Sequence, residues 1–279
     1  MKIPVTTTIK PGLIPLIFIV TILSATAQKQ PQVQEISQRA PANIKTDGKL
    51  NEWDYSFLNA FNPASRIFYT VSNDDKNLYF TVRGQGWGVG QKIFNGGITF
   101  TISHSTEKKL REKNAGNVII KFPLFPTKQT TANASYIMGP IANLKNLLID
   151  SIANRKEIDS ILLLVNKRIN ETIKEIGVTG IKEIPDSLIS IYNTTGIKVA
   201  AQFMKQLPVI KLQPVIEIAI PLKYLGLSTT ASNQLPFSYN IKLNGALPGA
   251  AVGDDADPNE LYLKSSSDLW GIYTLAKKP

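Results

Sequence analysis

Two short runs of alternating residues on either side of a polar turn limit this chain more than any other feature. In the first run Ile67, Tyr69 and Val71 share one side while Phe68 and Thr70 take the other; after Asn73-Asp74-Asp75-Lys76-Asn77, the set Leu78, Phe80 and Val82 alternates with Tyr79 and Thr81. A period of two sends successive side chains to opposite faces of a strand, so the stretch predicts a hairpin with one buried face. The pattern returns in Ile98, Phe100 and Ile102, in Val118 to Phe122, in Val215 to Ile220, in Phe237 to Leu243 and in Leu269 to Tyr273. Several short strands with turn residues between them predict a mainly β chain, an antiparallel β-sandwich.

The middle of the chain breaks this rhythm. Leu144, Leu148 and Ile152, then Ile158, Ile161, Leu162, Val165, Ile169 and Ile173, recur every three or four positions among Lys, Arg, Glu and Asn. That spacing predicts one amphipathic helix, or two, because the apolar phase slips between Ala153 and Glu157. The expectation is a helical insertion over about 136–206 within a single β domain spanning 43–279. Gly177, Gly180 and Gly196 favour strands or turns late in that stretch, and Val199 to Gln206 suits either structure. Gly84 to Gly97 reads as a glycine-rich loop around Trp87.

Residues 1–27 form a separate object: Lys2 and Lys10, an apolar run from Leu13 to Leu23, and Ala25-Thr26-Ala27. These are the marks of a cleavable secretory signal, with an apolar run shorter than the roughly 20 residues a spanning helix needs. The mature chain is then expected in the periplasm or outside the cell, with no transmembrane segment. Residues 28–42, rich in Gln and Pro, read as a flexible leader. The chain holds no cysteine, which excludes disulfides and thiolate metal sites, so core packing must supply the stability. The formal charge is +10, of which Lys2 and Lys10 account for two. Such a surplus suits acidic polymers or an anionic cell surface, or simply a solvated basic exterior; nucleic acid is not the expected partner of an exported chain.

Three stretches combine into a wider pattern. Ile44-Lys-Thr-Asp-Gly-Lys-Leu-Asn-Glu-Trp53, Asn73-Asp-Asp-Lys-Asn-Leu-Tyr-Phe80 and Val215-Ile-Glu-Ile-Ala-Ile-Pro-Leu-Lys-Tyr-Leu-Gly226 resemble carbohydrate-binding module family 9 and its superfamily of extracellular sandwich domains. The resemblance covers about 44–103 and 212–273. It implies an antiparallel sandwich, export, a sugar clamped between aromatic side chains, and often structural calcium. Arg83-Gly84-Gln85 departs from the pattern, which has an acid soon after the second strand.

The candidate sites follow from these readings. Aromatic faces match the C–H faces of sugars, and Trp87, with Gln85, Gln91 and Lys92 nearby, is the expected ligand platform. Trp53 and Trp270 are expected in the core or at its rim. Asp74 and Asp75 offer hard oxygens to calcium, or else build the hairpin turn. Asp255-x-Asp257-x-Asn259 begins like a calcium loop, yet Glu260 stands where that loop requires glycine. His104, the one histidine, has no nucleophile motif beside it and is expected at the surface. No catalytic pair is marked, so the expectation is a non-enzymatic protein that recognises a glycan or another cell-envelope component. The alternative is a structural or interaction module that has lost sugar binding and uses the helical stripe from Leu144 to Ile173 as its contact surface.

Overall fold

The computed structural model describes residues 30–53, 59–124, 130–142, 144–206, 211–230, 234–245 and 258–278. The signal segment and Asp254, Asp255 and Asp257 lie outside the described residues. Among the described residues the chain is mainly β, with two six-stranded sheets. The first holds β1 (Gln38–Arg39), β2 (Ala60–Asn62), β3 (Ile67–Asn73), β4 (Asn77–Gly84), β9 (Lys198–Gln206) and β10 (Lys211–Pro221), in the order β1-β3-β4-β10-β9 with β2 also on β3. The second runs β12-β11-β5-β6-β7-β8, from β5 (Ile98–Ser103), β6 (Val118–Phe122), β7 (Glu175–Thr179), β8 (Leu188–Ser190), β11 (Phe237–Leu243) and β12 (Ser267–Tyr273). β1 lies parallel to β3, and the other ladders among the described residues are antiparallel.

The alternation sorts the side chains as the sequence predicts. Ile67, Tyr69, Val71, Leu78, Phe80 and Val82 are fully buried, and they join Ile98, Phe100, Tyr239 and Ile241 of the second sheet in one apolar cluster. The Phe80 and Phe100 rings lie 5.0 Å apart, and the Tyr69 and Tyr239 hydroxyls share a hydrogen bond of 3.2 Å. Each such side chain contributes about 2–3 kcal/mol through area removed from water.

The other face of the first sheet is covered too, which explains why Thr70, Ser72, Thr81 and Glu217 are buried. Leu50 and Trp53 pack on Val215, flanked by Ile44, Phe68 and Met204. Asp47-Gly48 is fastened at the start of this cover: the Glu217 Oε2 atom accepts hydrogen bonds from the backbone N–H groups of Asp47 (3.0 Å) and Gly48 (2.8 Å). Gly48 has φ +79°, and a Cβ there would stand 2.7 Å from Gln202 Cγ, so both conformation and space require glycine. Stretches 170 residues apart in sequence thus meet in one structural unit.

The expected helical stretch is helical only in its first part. After α3 (Thr130–Ala142) and the short α4 (Leu144–Leu147), the chain turns through 148–154 and enters α5 (Arg155–Thr172). The phase slip in the sequence coincides with this turn. From 175 onward the chain returns to strands: β7 and β8 extend the second sheet and β9 closes an edge of the first. Of the stripe expected as a contact surface, Leu144, Ile158, Val165, Ile169 and Ile173 are buried in the common cluster, Leu148, Ile161 and Leu162 are half-buried against it, and Ile152 is exposed. Asn166 of α5 accepts from Phe203 N–H (2.7 Å) and donates to Phe203 C=O (2.9 Å), occupying the backbone of edge strand β9. No helix among the described residues is long and apolar enough to cross a membrane.

Residues 30–42, expected as a flexible leader, make specific contacts. Gln34 is buried, and its side-chain amide accepts from Val71 N–H (2.7 Å) and donates to Val71 C=O (2.8 Å). Ser37 donates to the Thr274 carbonyl at 2.6 Å, and β1 follows. The low hydrophobicity of the segment hid its ability to serve as a polar strand substitute.

Candidate ligand-binding site

The stretch read as a glycine loop is α1 (Trp87–Gly96). Val89 and Ile93, and Gly90 and Phe94, are spaced four apart on the same helical face, and this stripe outweighs the glycines. Gly90 is small because the Phe203 ring lies over it; a Cβ there would come within 2.7 Å of Phe203 Cζ. The Phe94 and Phe203 rings stack at 5.2 Å.

This helix redistributes the four residues expected to bind ligand. Trp87 is half-buried and packs on the core cluster instead of standing free. Gln85 is exposed and its backbone N–H binds the Arg66 carbonyl at 2.8 Å, while Gln91 is half-buried. Lys92 has left the surface altogether, with 1% exposure. Its ammonium group donates to Ser267 Oγ (3.1 Å) and lies 4.2 Å from the centroid of the Tyr262 ring, which also carries the Arg66 guanidinium at 4.3 Å. Burial, helped by the charge of Arg66, pushes the Lys92 ammonium down to about 8. The side chain thus has a neutral form close to physiological pH and is held by the interior.

Asp74 and Asp75 have the contacts of a turn. Asp74 Oδ1 accepts from the N–H groups of Lys76 (2.7 Å) and Asn77 (2.6 Å), and Oδ2 accepts from the Tyr79 hydroxyl (2.7 Å). Burial opposes its charge, but those donors outweigh burial and hold the carboxyl below the usual range. Asp75 is paired with Arg39 at 2.8 Å. Oxygens already facing hydrogen-bond donors do not fit calcium, which needs lone pairs turned toward it. Among the described residues there is no group of three or more His, Asp or Glu able to hold a metal ion.

Trp270, expected in the core or at its rim, lines an open cleft. Along β12, Leu269, Gly271 and Tyr273 point inward and are buried, whereas Asp268, Trp270 and Ile272 point outward. Trp270 is half-buried, and the Arg111 guanidinium lies 4.7 Å from its ring centroid. Arg111 ends α2 (Lys108–Arg111), in the connection between β5 and β6, and Asn117 Nδ2 donates to its carbonyl at 2.7 Å. Asn240 lies opposite Trp270 and is anchored by bonds to Asp268 Oδ2 (2.9 Å) and the Leu269 carbonyl (2.8 Å).

A cleft of about 560 Å³ opens here, lined by Val33, Glu35, Arg111, Trp270, Ile272 and Thr274 among others. Its walls are tied together. The N-terminal segment is held by Gln34 on β3 and by Ser37 on Thr274, and the Tyr273 hydroxyl sits 2.9 Å from the Gln38 carbonyl. The cleft combines a flat aromatic surface, a planar set of N–H donors and a carboxylate acceptor at Glu35. Burial places Arg111 Nε out of contact with any hydrogen-bond partner among the described residues. His104, expected at the surface, is exposed and lines a separate small hollow with Leu235 and Phe237.

No protein-family model matches this chain, and no curated protein matches it.

Proposed function

We propose that this chain is an exported, non-enzymatic binding protein related to carbohydrate-binding module family 9, with its two sheets stacked as a sandwich, and that it recognises a glycan of the cell envelope. The inter-sheet contacts of Phe80 with Phe100 and of Tyr69 with Tyr239 support the stacking. The observation that carries the functional reading is Trp270, half-buried beneath Arg111 in an open cleft. The guanidinium over the indole covers part of the ring and, with the uncovered part, presents a flat surface on which a sugar ring lays its C–H face. Arg111 N–H groups donate to sugar hydroxyls and Glu35 accepts from them. Among the described residues Glu35 is the one carboxylate lining this cleft, and acid–base cleavage of a glycosidic bond uses two, which supports binding over turnover.

Affinity electrophoresis through gels containing envelope polysaccharides tests the reading. Trp270→Ala and Arg111→Ala should each weaken retardation by about tenfold or more, the equivalent of about 1.4 kcal/mol. Retardation unchanged by both substitutions, or absent for every polysaccharide with the wild-type chain, would refute it.

A further inference from the structure

A second surface, apart from the aromatic cleft, carries four exposed lysines. Three hollows adjoin: one of about 190 Å³ beside His104, one of about 510 Å³ beside Lys76 and Lys223, and one of about 270 Å³ beside Lys45 and Lys198. The first two share Leu227 and Ser228, and the last two share Asn77, so each hollow borders the next in a single row, here called the groove.

The groove is built on fixed elements. The Leu222 N–H donates to the Lys76 carbonyl at 2.8 Å, which locks the β3–β4 turn to the 3-10 turn Leu222–Leu225 that carries Lys223. Tyr224 donates to the Thr195 carbonyl at 3.0 Å and ties in the approach to β9, where Lys198 begins the strand. Tyr79 and Asn77 form a polar floor, with Asn77 Nδ2 donating to the Tyr79 hydroxyl at 3.2 Å.

Charge along the groove is net positive, with four lysines and one acid, Asp75, among its described lining residues. Lys45, Lys76, Lys198 and Lys223 are exposed, and none takes part in the three ion pairs among the described residues. The acids nearby are already occupied: Asp75 is paired with Arg39, and Asp74 turns both oxygens into its own turn. Four ammonium groups outside those ion pairs, with Lys223 also 4.7 Å from the Tyr224 ring centroid, stand along this row of hollows and suit a chain with regularly spaced negative charges.

We infer that this groove binds a linear anionic polymer, one bearing carboxylate or phosphate on its repeat, through Lys45, Lys76, Lys198 and Lys223. The site is independent of Trp270. The experiment titrates the full chain with a polyuronate, with polyphosphate and with neutral dextran, following binding by fluorescence anisotropy of labelled polymer at low salt. A quadruple variant, Lys45→Gln, Lys76→Gln, Lys198→Gln and Lys223→Gln, is compared with a control of equal charge change at exposed sites elsewhere: Lys113→Gln, Lys156→Gln, Lys182→Gln and Lys211→Gln.

The expected result is binding to at least one anionic polymer and not to dextran. The groove variant should lose about tenfold or more in affinity and the control about twofold or less, because ammonium groups in contact with the polymer contribute more than distant ones. Binding to the polyuronate or to polyphosphate alone identifies the anion. Trp270→Ala should leave this binding unchanged, which separates it from glycan recognition in the aromatic cleft. Equal losses in the two quadruple variants, or no binding to either polyanion, would overturn the inference.

Discussion

Replacing Glu217 by Gln should make the protein more stable at alkaline pH while leaving it nearly unchanged in acid. Glu217 is 3% exposed and lies in the middle of β10 beneath the Asp47-Gly48 turn. Two backbone N–H groups on Oε2 favour its ionised form, but burial acts more strongly the other way. Oε1 has no hydrogen-bond partner among the described residues, and the charges of Asp47 and Glu52 are close. The net effect pushes the carboxyl up to about 8 from 4.5. Between those values the folded chain keeps a proton that the unfolded chain has released, so stability is full below about 4.5 and falls as pH rises toward 8. At 1.36 kcal/mol per unit the difference is at most about 5 kcal/mol, and water entering around a charged carboxylate reduces it to about 2–4 kcal/mol. Gln keeps an oxygen for both N–H groups and has no charge to bury. Urea denaturation followed by tryptophan fluorescence, from pH 5 to pH 9, should show the two proteins within about 1 kcal/mol at pH 5 and the variant ahead by about 2–4 kcal/mol at pH 8.5. If Glu217→Gln is no more stable than the wild type at pH 8.5, the carboxylate is held charged by its two amides and the reasoning fails.

Gly48→Ala should cost about 1–3 kcal/mol, because φ +79° and the 2.7 Å approach of Gln202 Cγ both oppose a side chain; denaturation at neutral pH measures it, and a neutral result would mean that the turn relaxes freely. For Lys92, burial lowers the folded pKa, so the wild type gains stability as pH rises from about 8 toward 10.5, where the unfolded chain still holds the proton. The Lys92→Met variant should lack that rise, and parallel pH profiles for the two proteins would contradict the placement of the ammonium under Tyr262.

The strands were legible because one face of each is marked. Ile67-Tyr69-Val71 and Leu78-Phe80-Val82 alternate with residues that, apart from Phe68, carry a hydroxyl, and the structure buries both sets. The importance of Asp47-Gly48 and Glu217 was visible as a pattern, but the hydrogen bonds that join them span 170 positions and no local signal announces them. α1 was hidden by its glycines, which a local reading takes as breakers; Gly90 answers to a ring on β9 that the local sequence does not contain. The outward side of Trp270 was hidden for a different reason. Leu269, Trp270, Gly271, Ile272 and Tyr273 carry no charge, so alternation within them selects neither face. Asp268 was the available signal: a charged residue facing solvent puts Trp270 and Ile272 on the same outward side.

The two carboxamides on the first sheet have a consequence for how the protein ages. Gln34 and Asn166 each bind both the N–H and the C=O of one residue, Val71 and Phe203, where the sheet would otherwise present open backbone. Slow hydrolysis of either amide replaces its NH2 donor with a second oxygen. That oxygen then faces a carbonyl, two acceptors with no proton between them, and the side chain leaves the edge. At Val71 the border is still held on either side by β2 and β1, but at Phe203 the change would free part of edge strand β9 to pair with a second molecule, so deamidation at Asn166 would couple the storage life of the protein to its tendency to self-associate.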